Sequence, residues 1–295
     1  MNKSIQPIIT ALKLKVQRIE GVPESYSSEV YKLLLTGGET VYLKIPFNKH
    51  KWMREQRILQ MLQGVMPVPE VLKVWPGDDA RPGALLLSAI PGTACPETPD
   101  RELAYQIGML HATMHQVQLP EYGVHDADGF KALPHNDWRL YQQGNFADWQ
   151  QVCRNILDPD LFEACLEYFA AAFAALPQPD GPCLIHMDFR PGNILVNGQA
   201  VTGLIDFESA RSGAAEADFT KLNRYIWSGH PQAREHYAAG YEAVRPLPDL
   251  DRVLPFYEFY DAFSGVAWCV RRGIGKNRDF LEENIAVLRS AVRPC

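Results

Sequence analysis

The chain has 295 residues, 46% of them hydrophobic, which allows one large domain or two lobes with a sizeable core. Its net charge of −6 is unevenly distributed: residues 1–92 carry 12 Lys and Arg and 8 Asp and Glu, whereas the remainder carries 17 and 27. Because the larger part of the chain is acidic, nucleic acid is not expected as a partner. No apolar run approaches the roughly 20 residues of a membrane span and the N-terminal MNKSIQPIIT has no signal-peptide core, so we expect a cytoplasmic protein with no membrane partner.

The first part of the chain has the pattern of strands and one helix. LKLKVQRI and EVYKLLL are typical of strands, and TGGET between EVYKLLL and the next strand is typical of a hairpin turn. The strand TVYLKIPF (40–47) alternates, which places Tyr42 and Lys44 on the face opposite its apolar residues. KHKWMREQRILQMLQG (49–64) changes to helical period, and ALLLSAIPG (84–92) predicts an apolar strand that ends at Pro-Gly.

After about residue 93 the pattern becomes helical, with helices predicted over 101–117, 160–176 and 251–272. We therefore expect an α+β fold with two lobes. The N-terminal lobe (1–92) would hold a small antiparallel sheet and one main helix. A connector near 85–93 would lead to a larger, mostly helical lobe (93–295). A cleft between two such lobes is the expected ligand site.

A predicted hairpin, NILVNGQAVTGLID, carries polar residues at both ends. A two-residue turn at Asn197-Gly198 would place Asp206 opposite about residue 189, beside the loop that holds Asp188 and Asn193. Carboxylate and amide oxygens that converge in this way suit Mg²⁺. Asp188 would be close enough to orient a hydroxyl group or accept its proton.

The segment HMDFRPGN, then an apolar strand, then IDF, follows the pattern H-x-D-x-[RK]-P-x-N…I-D-F. This pattern resembles the catalytic and metal loops of the protein-kinase-like superfamily. The resemblance implies that Asp188 is the catalytic carboxylate and that Asn193 and Asp206 bind Mg²⁺. Arg190 would lie near the transferred phosphate, and His186 would support the loop.

A second signal lies upstream, where Lys44 ends VYLK and Glu55 follows 11 residues later on the apolar stripe of the predicted helix. An acid on an apolar stripe needs a cationic partner, because an unpaired buried charge is costly. Lys44 is the expected partner. Such a pair would hold the ammonium group of Lys44 against nucleotide phosphates.

Segments in both lobes resemble the aminoglycoside phosphotransferase and choline kinase-like family, with an N-terminal lobe most like the 3′-type aminoglycoside enzymes. The segments are EGVPESYSSEVYKL, VYLK, RE…L…MPVPEVL, LLLSAIPG, HMDFRPGNILV and GLIDFESARSG. The resemblance implies a bilobal protein-kinase-like fold and an ATP- or GTP-dependent kinase.

The resemblance also implies roles for individual residues. Tyr42 would stack on adenine, and the backbones of Ser88 and Ile90 would bind its edge. Ser27 and Ser28 would lie in the loop over the phosphates, although GVPESYSSE has no G-x-G-x-x-G. Asp218 would brace the catalytic loop.

Three acids are candidates for binding a cationic acceptor. Glu258 and Asp261 lie three residues apart on a predicted helix, and Glu208 follows the metal Asp. Asp261 resembles an aminoglycoside-binding position in the family, but the sequence there is DAFS, with Ala262 in place of a second acid. An aminoglycoside therefore stands beside metabolites such as choline, homoserine or a thio-sugar as the expected acceptor.

The sequence thus predicts an ATP- and Mg²⁺-dependent kinase that phosphorylates a hydroxyl group of a small, cationic molecule. A regulatory pseudokinase is disfavoured because Lys44, Asp188 and Asp206 are all present. A protein kinase is disfavoured because Asp218 follows Asp206 closely and no A-P-E segment comes after it.

Overall fold

The computed structural model describes residues 5–23, 28–79 and 81–293. Its strands are β1 (Val16–Gly21), β2 (Ser28–Leu35), β3 (Thr40–Pro46), β4 (Val71–Trp75), β5 (Ala84–Ser88), β6 (Thr93–Ala94), β7 (Gly123–Asp126), β8 (Gly129–Ala132), β9 (Cys183–Ile185), β10 (Ile194–Asn197), β11 (Ala200–Leu204) and β12 (Arg211–Gly213). Its α-helices are α1 (Gln6–Ala11), α2 (Lys49–Leu62), α3 (Arg101–His115), α4 (Trp138–Cys153), α5 (Pro159–Ala175), α6 (Thr220–Leu222), α7 (Pro231–Glu242), α8 (Leu250–Arg272) and α9 (Arg278–Ala291).

The N-terminal lobe is built on a five-stranded antiparallel sheet in the order β1-β2-β3-β5-β4. The apolar face of β3 packs on α1, where Ile8 and Ile9 are buried. The sequence analysis did not predict α1, and it began the first strand too early, at Leu12 instead of Val16. Pro7 in the first turn is a helix-start signal that the adjacent β-branched residues obscured.

Helix α2 carries the expected buried stripe and ends two residues before the predicted stop at Gly64. Asn48 caps its N-terminus, because the side-chain oxygen accepts a hydrogen bond from the Lys51 amide at 2.9 Å. The buried residues of this helix are Trp52, Glu55, Ile58, Leu59 and Leu62. Glu55 thus faces the sheet among apolar neighbours.

The connector is fastened to the β10–β11 hairpin of the second lobe. The Thr202 hydroxyl donates to the Pro91 carbonyl at 2.6 Å, and β6 pairs with β10. A Cβ atom on Gly203 would lie 2.6 Å from Cδ1 of Ile90, so a larger residue there would require the Ile90 side chain to move. The segment beside the expected adenine site is therefore fixed to the strands that lead to Asp206.

The second lobe combines a four-stranded sheet in the order β8-β7-β12-β9 with packed helices. Helices α3 and α7 approach so closely that a Cβ atom on Gly240 would lie 1.9 Å from the Tyr105 carbonyl. Helices α4, α7 and α9 and the β7–β8 hairpin were not predicted from the sequence. Among the described residues, no helix is long and apolar enough to cross a membrane. The two-lobed α+β fold expected from the sequence is confirmed.

The hairpin that carries the metal-loop residues differs in register from its prediction. Its turn is Gly198-Gln199 rather than Asn197-Gly198, because Asn197 pairs with Ala200 and Gly198 adopts a φ of 61°. A bulge between Leu195 and Val196 shifts the register again, so that Ile194 pairs with Leu204. Asp206 therefore does not lie opposite residue 189. Instead the amide of Ile205 donates to the Asn193 carbonyl at 3.0 Å, which still places Asp206 beside the end of the catalytic loop.

Candidate active site

The predicted catalytic loop, residues 186–193 and called the catalytic loop below, is held in place by the fully buried carboxylate of Asp218. Its Oδ2 accepts the His186 amide and its Oδ1 the Met187 amide, both at 2.6 Å. Nε2 of His111 and Nε2 of His115 also contact Oδ2, at 3.2 and 3.3 Å. One carboxylate thus fixes the backbone immediately before Asp188 and ties it to α3.

The two histidines act as neutral hydrogen-bonding groups. Burial lowers the pKa of His111 to about 3, and burial lowers the pKa of His115 as well. Their Nδ1 atoms contact the hydroxyl groups of Tyr237 at 2.6 Å and Tyr241 at 2.8 Å, which satisfies both rings. Burial would raise the pKa of Asp218, but the hydrogen bonds from the two histidines outweigh it and lower that pKa, so the carboxylate is ionised.

His186 joins the catalytic loop to the predicted metal loop, residues 205–208 and called the metal loop below. Its Nδ1 accepts the Asp188 amide at 3.3 Å, so its Nε2 carries the proton and donates to the Ile205 carbonyl at 3.0 Å. The ring is fully buried. This bridge supports Asp188 from one side and the residue before Asp206 from the other.

Asp188 is itself oriented by two neighbours. Nδ2 of Asn193 donates to its carbonyl at 2.8 Å and to its Oδ2 at 2.9 Å, and Nε of Arg190 donates to Oδ2 at 3.2 Å. Among the contacts of the described residues, none uses Oδ1 of Asp188. The side chain is 31% exposed, so a fixed carboxylate is partly accessible to a ligand.

Lys44 lies at the centre of a buried charge cluster. Its Nζ is 2.7 Å from Oε2 of Glu55, 2.5 Å from Oδ1 of Asp206 and 3.6 Å from Oε2 of Glu208. Burial would lower the pKa of Lys44, but the three carboxylates raise it above its ordinary value, so the ammonium group is charged. Burial raises the pKa of Glu55 to about 7, against the opposing charge of Lys44. Glu55 also accepts the Phe207 amide at 3.2 Å, which links α2 to the metal loop.

The expectation that Glu208 faces the acceptor is not met. Its carboxylate is buried and lies 2.5 Å from Nζ of Lys51, in the same group as Lys44. Arg54 donates from Nη1 to the Glu208 carbonyl at 3.0 Å. Lys51 and Arg54 were not identified from the sequence. Their one sequence signal is position, since Lys51 lies one helical turn before Glu55 and Arg54 comes immediately before it.

The donor atoms around Asp206 fit a hard divalent cation. Carboxylate oxygens of Glu55, Asp206 and Glu208 lie within 4.8 Å of one another. The amide nitrogen of Asn193 is used by Asp188, which leaves its side-chain oxygen as the possible ligand atom. Burial would raise the pKa of Asp206, but Lys44 lowers it, so Asp206 is ionised. An all-oxygen set with ionised carboxylate suits Mg²⁺.

The residues expected at the nucleotide base lie on or next to β3 and β5, two interior strands of the first sheet. Tyr42 is half-buried and pairs with Leu87 of β5. The Ser88 amide donates to the Glu70 carbonyl at 2.9 Å, so a contact to a base would come from its carbonyl oxygen. Ser28 begins β2 opposite Pro46. Ser27 lies outside the described residues.

The two acids expected on α8 both have partners. Asp261 lies 2.8 Å from Nζ of Lys221 and 3.3 Å from Nη2 of Arg224. Burial would raise its pKa, but these two cations lower it. Glu258 accepts a hydrogen bond from the Asn223 side chain, and burial raises its pKa. Asp261 is therefore neutralised by cations of its own lobe, whereas Glu258 has no cationic partner within 4.0 Å among the described residues.

A sequence profile described as "Phosphotransferase enzyme family" matches residues 18–256, well over half of the chain. No curated protein sequence is a significant match. Solved structures resemble the whole chain at low identity. One is a thermostable mutant of aminoglycoside phosphotransferase APH(4)-Ia in a ternary complex with AMP-PNP and hygromycin B, which is 16% identical over 99% of this chain and 98% of that chain, with a TM-score of 0.75.

A second similar structure is the GDP and kanamycin complex of APH(2″)-IIIa. It is 19% identical over 96% of each chain, with a TM-score of 0.69. At these identities the likeness shows a shared fold.

Proposed function

We propose that this chain, which belongs to the phosphotransferase enzyme family, transfers the γ-phosphate of ATP or GTP to a hydroxyl group of a small molecule that carries a cationic group. The observation that carries this proposal is the pairing of two sites in one cleft. The Lys44 cluster holds a charged ammonium group beside ionised Asp206, and the catalytic loop next to it presents a fixed Asp188.

Lys44 is the residue proposed to bind the nucleotide phosphates, with Glu55 holding it in position. Lys51 adds a second ammonium group that reaches the same carboxylates through Glu208. The base would lie against Tyr42 and the connector at Ser88 and Ile90, and Ser27 and Ser28 would cover the phosphates. These assignments follow the resemblance of the sequence to the family.

Asn193 and Asp206 are the proposed ligands of Mg²⁺. When bound, the ion would neutralise charge on the nucleotide phosphates. Contacts within the protein orient both proposed ligands, since the Asn193 side chain donates to Asp188 and Asp206 pairs with Lys44.

Asp188 would orient the acceptor and take its proton. The acceptor oxygen forms a bond to the γ-phosphorus while the bond from that phosphorus to the bridging oxygen breaks, which releases the nucleoside diphosphate. The hydroxyl proton passes to Oδ1 of Asp188, the oxygen to which neither Asn193 nor Arg190 donates. Arg190, beside Asp188, would offset charge on the transferred group.

Glu258 is the acid that best suits a cationic acceptor group, since Asp261 is already held by Lys221 and Arg224. An aminoglycoside is supported by the similar structures, which bind hygromycin B and kanamycin. A metabolite of the choline, homoserine or thio-sugar type is the second candidate. The neutralised Asp261 favours it, because aminoglycosides carry several ammonium groups and the site offers few unpaired acids.

The test is nucleoside diphosphate release by purified protein with Mg²⁺ and ATP or GTP, against a panel of aminoglycosides, choline, homoserine and thio-sugars. We expect acceptor-dependent release that falls at least about 100-fold in Asp188→Asn, while nucleotide affinity is retained. Asp128→Asn, at a side chain that is 73% exposed, is the matched control. Turnover that survives in Asp188→Asn would contradict the catalytic assignment.

A further inference from the structure

A cavity of about 230 Å³ adjoins the Lys44 cluster, since Arg54 in its wall donates to the Glu208 carbonyl. It is lined by residues of α2, the β7–β8 hairpin, the start of α4 and β12, and by no residue of the catalytic loop. Two arginines, Arg54 and Arg211, line it together with the aromatic rings of Trp138 and Tyr141. The cavity is smaller than the roughly 300–1,000 Å³ of drug-sized ligand sites, so it suits a small group.

Both guanidinium groups are bound to neutral oxygens. Arg54 donates to the carbonyls of His125 at 3.1 Å and Glu208 at 3.0 Å. Arg211 donates to the Ser209 carbonyl at 3.3 Å and to the Tyr141 hydroxyl at 2.5 Å. Within residues 5–23, 28–79 and 81–293, neither guanidinium has a carboxylate within 4.0 Å. Two cations therefore share this cavity without a bound counter-charge.

The pKa of Arg54 and the ion pairs of the nearby acids also indicate that the two arginines lack a counter-charge. Burial and the charge of Arg211 lower the pKa of Arg54 to about 10. The acids nearest to Arg54 are engaged elsewhere, since Asp126 lies 2.6 Å from Nζ of Lys131 and Glu208 pairs with Lys51. In addition, the buried Ser212 hydroxyl in the cavity wall has no hydrogen-bond partner in the described part of the chain.

We propose that this cavity is a second ligand site, which binds a small oxyanion between Arg54 and Arg211. The ligand is a phosphate or carboxylate group, either free or at the end of a larger molecule. Guanidinium groups present paired N–H donors that match the oxygens of such groups. The proposal does not depend on the identity of the acceptor or on turnover.

An anion bound here would also act on the neighbouring site. Arg54 precedes Glu55 on α2, and the two arginines donate to the carbonyls of Glu208 and Ser209, two and three residues after Asp206. A shared counter-ion would remove the repulsion between the two cations. It would thereby fasten α2 to the segment that follows the metal loop.

The test is the binding of inorganic phosphate and of phenyl phosphate to the full chain, by calorimetry and by thermal unfolding. Ionic strength is held constant with chloride, and each titration is made with and without AMP-PNP and Mg²⁺. We expect saturable binding that AMP-PNP leaves in place and that Arg211→Gln weakens at least tenfold. Arg54→Gln, checked for folding by circular dichroism, should weaken it similarly. Arg234→Gln, at an arginine outside the cavity, should leave it unchanged.

Tighter binding of phenyl phosphate, with the same loss in Arg211→Gln, would support the end of a larger molecule as the ligand. Equal binding of the two probes would support free phosphate. The proposal fails if no saturable binding is seen, if Arg211→Gln binds as the wild type does, or if AMP-PNP displaces the phosphate. Failure of the proposed kinase function would appear separately, as absent turnover and absent binding of AMP-PNP.

Discussion

The catalytic loop and the Lys44 cluster are neighbours in one cleft, but different interactions hold them. The catalytic loop is held by hydrogen bonds to one ionised carboxylate, that of Asp218, which also contacts the neutral imidazole ring of His111. The Lys44 cluster is held by ion pairs in which three carboxylates share two ammonium groups, those of Lys44 and Lys51.

This difference separates a fixed part of the site from an adaptable part. Hydrogen bonds to the backbone allow one arrangement of the loop, which suits a residue such as Asp188 that must meet a hydroxyl group at a set position. Ion pairs that share partners can be redistributed when phosphates and a cation enter. We therefore expect substitutions in the two regions to have distinct signatures.

The largest effect is expected for Asp218→Asn. The amide group keeps one acceptor oxygen but loses the charge and places an N–H₂ group among N–H donors. Because a buried charged network is broken, the free energy of unfolding should fall by about 3–5 kcal/mol. Urea unfolding of the variant beside Asp251→Asn, whose side chain is 85% exposed, measures this. A loss under about 1 kcal/mol would show that the loop does not depend on Asp218.

A double-mutant cycle at Lys44 and Glu55 tests the adaptable part. Lys44→Met leaves three carboxylates close together, so it should lower the free energy of unfolding by about 3 kcal/mol. Adding Glu55→Gln removes one of the repelling charges. The free energy of unfolding of the double variant should therefore exceed that of Lys44→Met by at least about 1 kcal/mol. Denaturant unfolding of the four proteins gives the coupling energy. Additive losses in the double variant would mean that the three acids do not repel one another.

The sequence predicted that Asp188, Asn193 and Asp206 lie close together, but it did not predict the register of the hairpin that carries them. Asp188, Asn193 and Asp206 lie within one short stretch, so local motif spacing was enough to bring them together, even though the hairpin register was wrong. The bulge between Leu195 and Val196 has no local sequence signal.

The ion partners were less predictable, because they join residues far apart in the chain. Lys51 and Glu208 are separated by 157 positions, and nothing in the local pattern of either residue indicates the other. Helices α4 and α7 were missed for a similar reason, because their buried positions are set by contacts with α8 and α3 rather than by a strong apolar stripe of their own. Helix α9 does carry such a stripe, with Leu281 and Leu288 buried, and it could have been predicted from the sequence.

The smallest change in the free energy of unfolding is expected for a substitution of Glu216. This buried acid is close to Asp218 and has no cationic partner within 4.0 Å among the described residues. It accepts the Asp180 amide with both carboxylate oxygens at 3.1 Å, and burial raises its pKa to about 7. Because the folded state holds this proton more tightly than the unfolded state, Glu216 costs stability as pH rises from about 4.5 through 7.

Glu216→Gln should therefore match the wild type near pH 5 and exceed it at pH 8 by about 1–3 kcal/mol. Thermal unfolding of both proteins across this range gives the difference directly. A variant that is less stable than the wild type at pH 8 would show that Glu216 is ionised and compensated in the folded protein.

The most direct test of the central claim is the effect of Mg²⁺ on nucleotide affinity, measured by calorimetry with AMP-PNP in the wild type and in Asp206→Asn. It needs no knowledge of the acceptor. If Asp206 and Asn193 form a metal site beside Lys44, Mg²⁺ should tighten binding at least about tenfold in the wild type and have little effect in the variant. An equal Mg²⁺ effect in both proteins, or none in the wild type, would contradict this account.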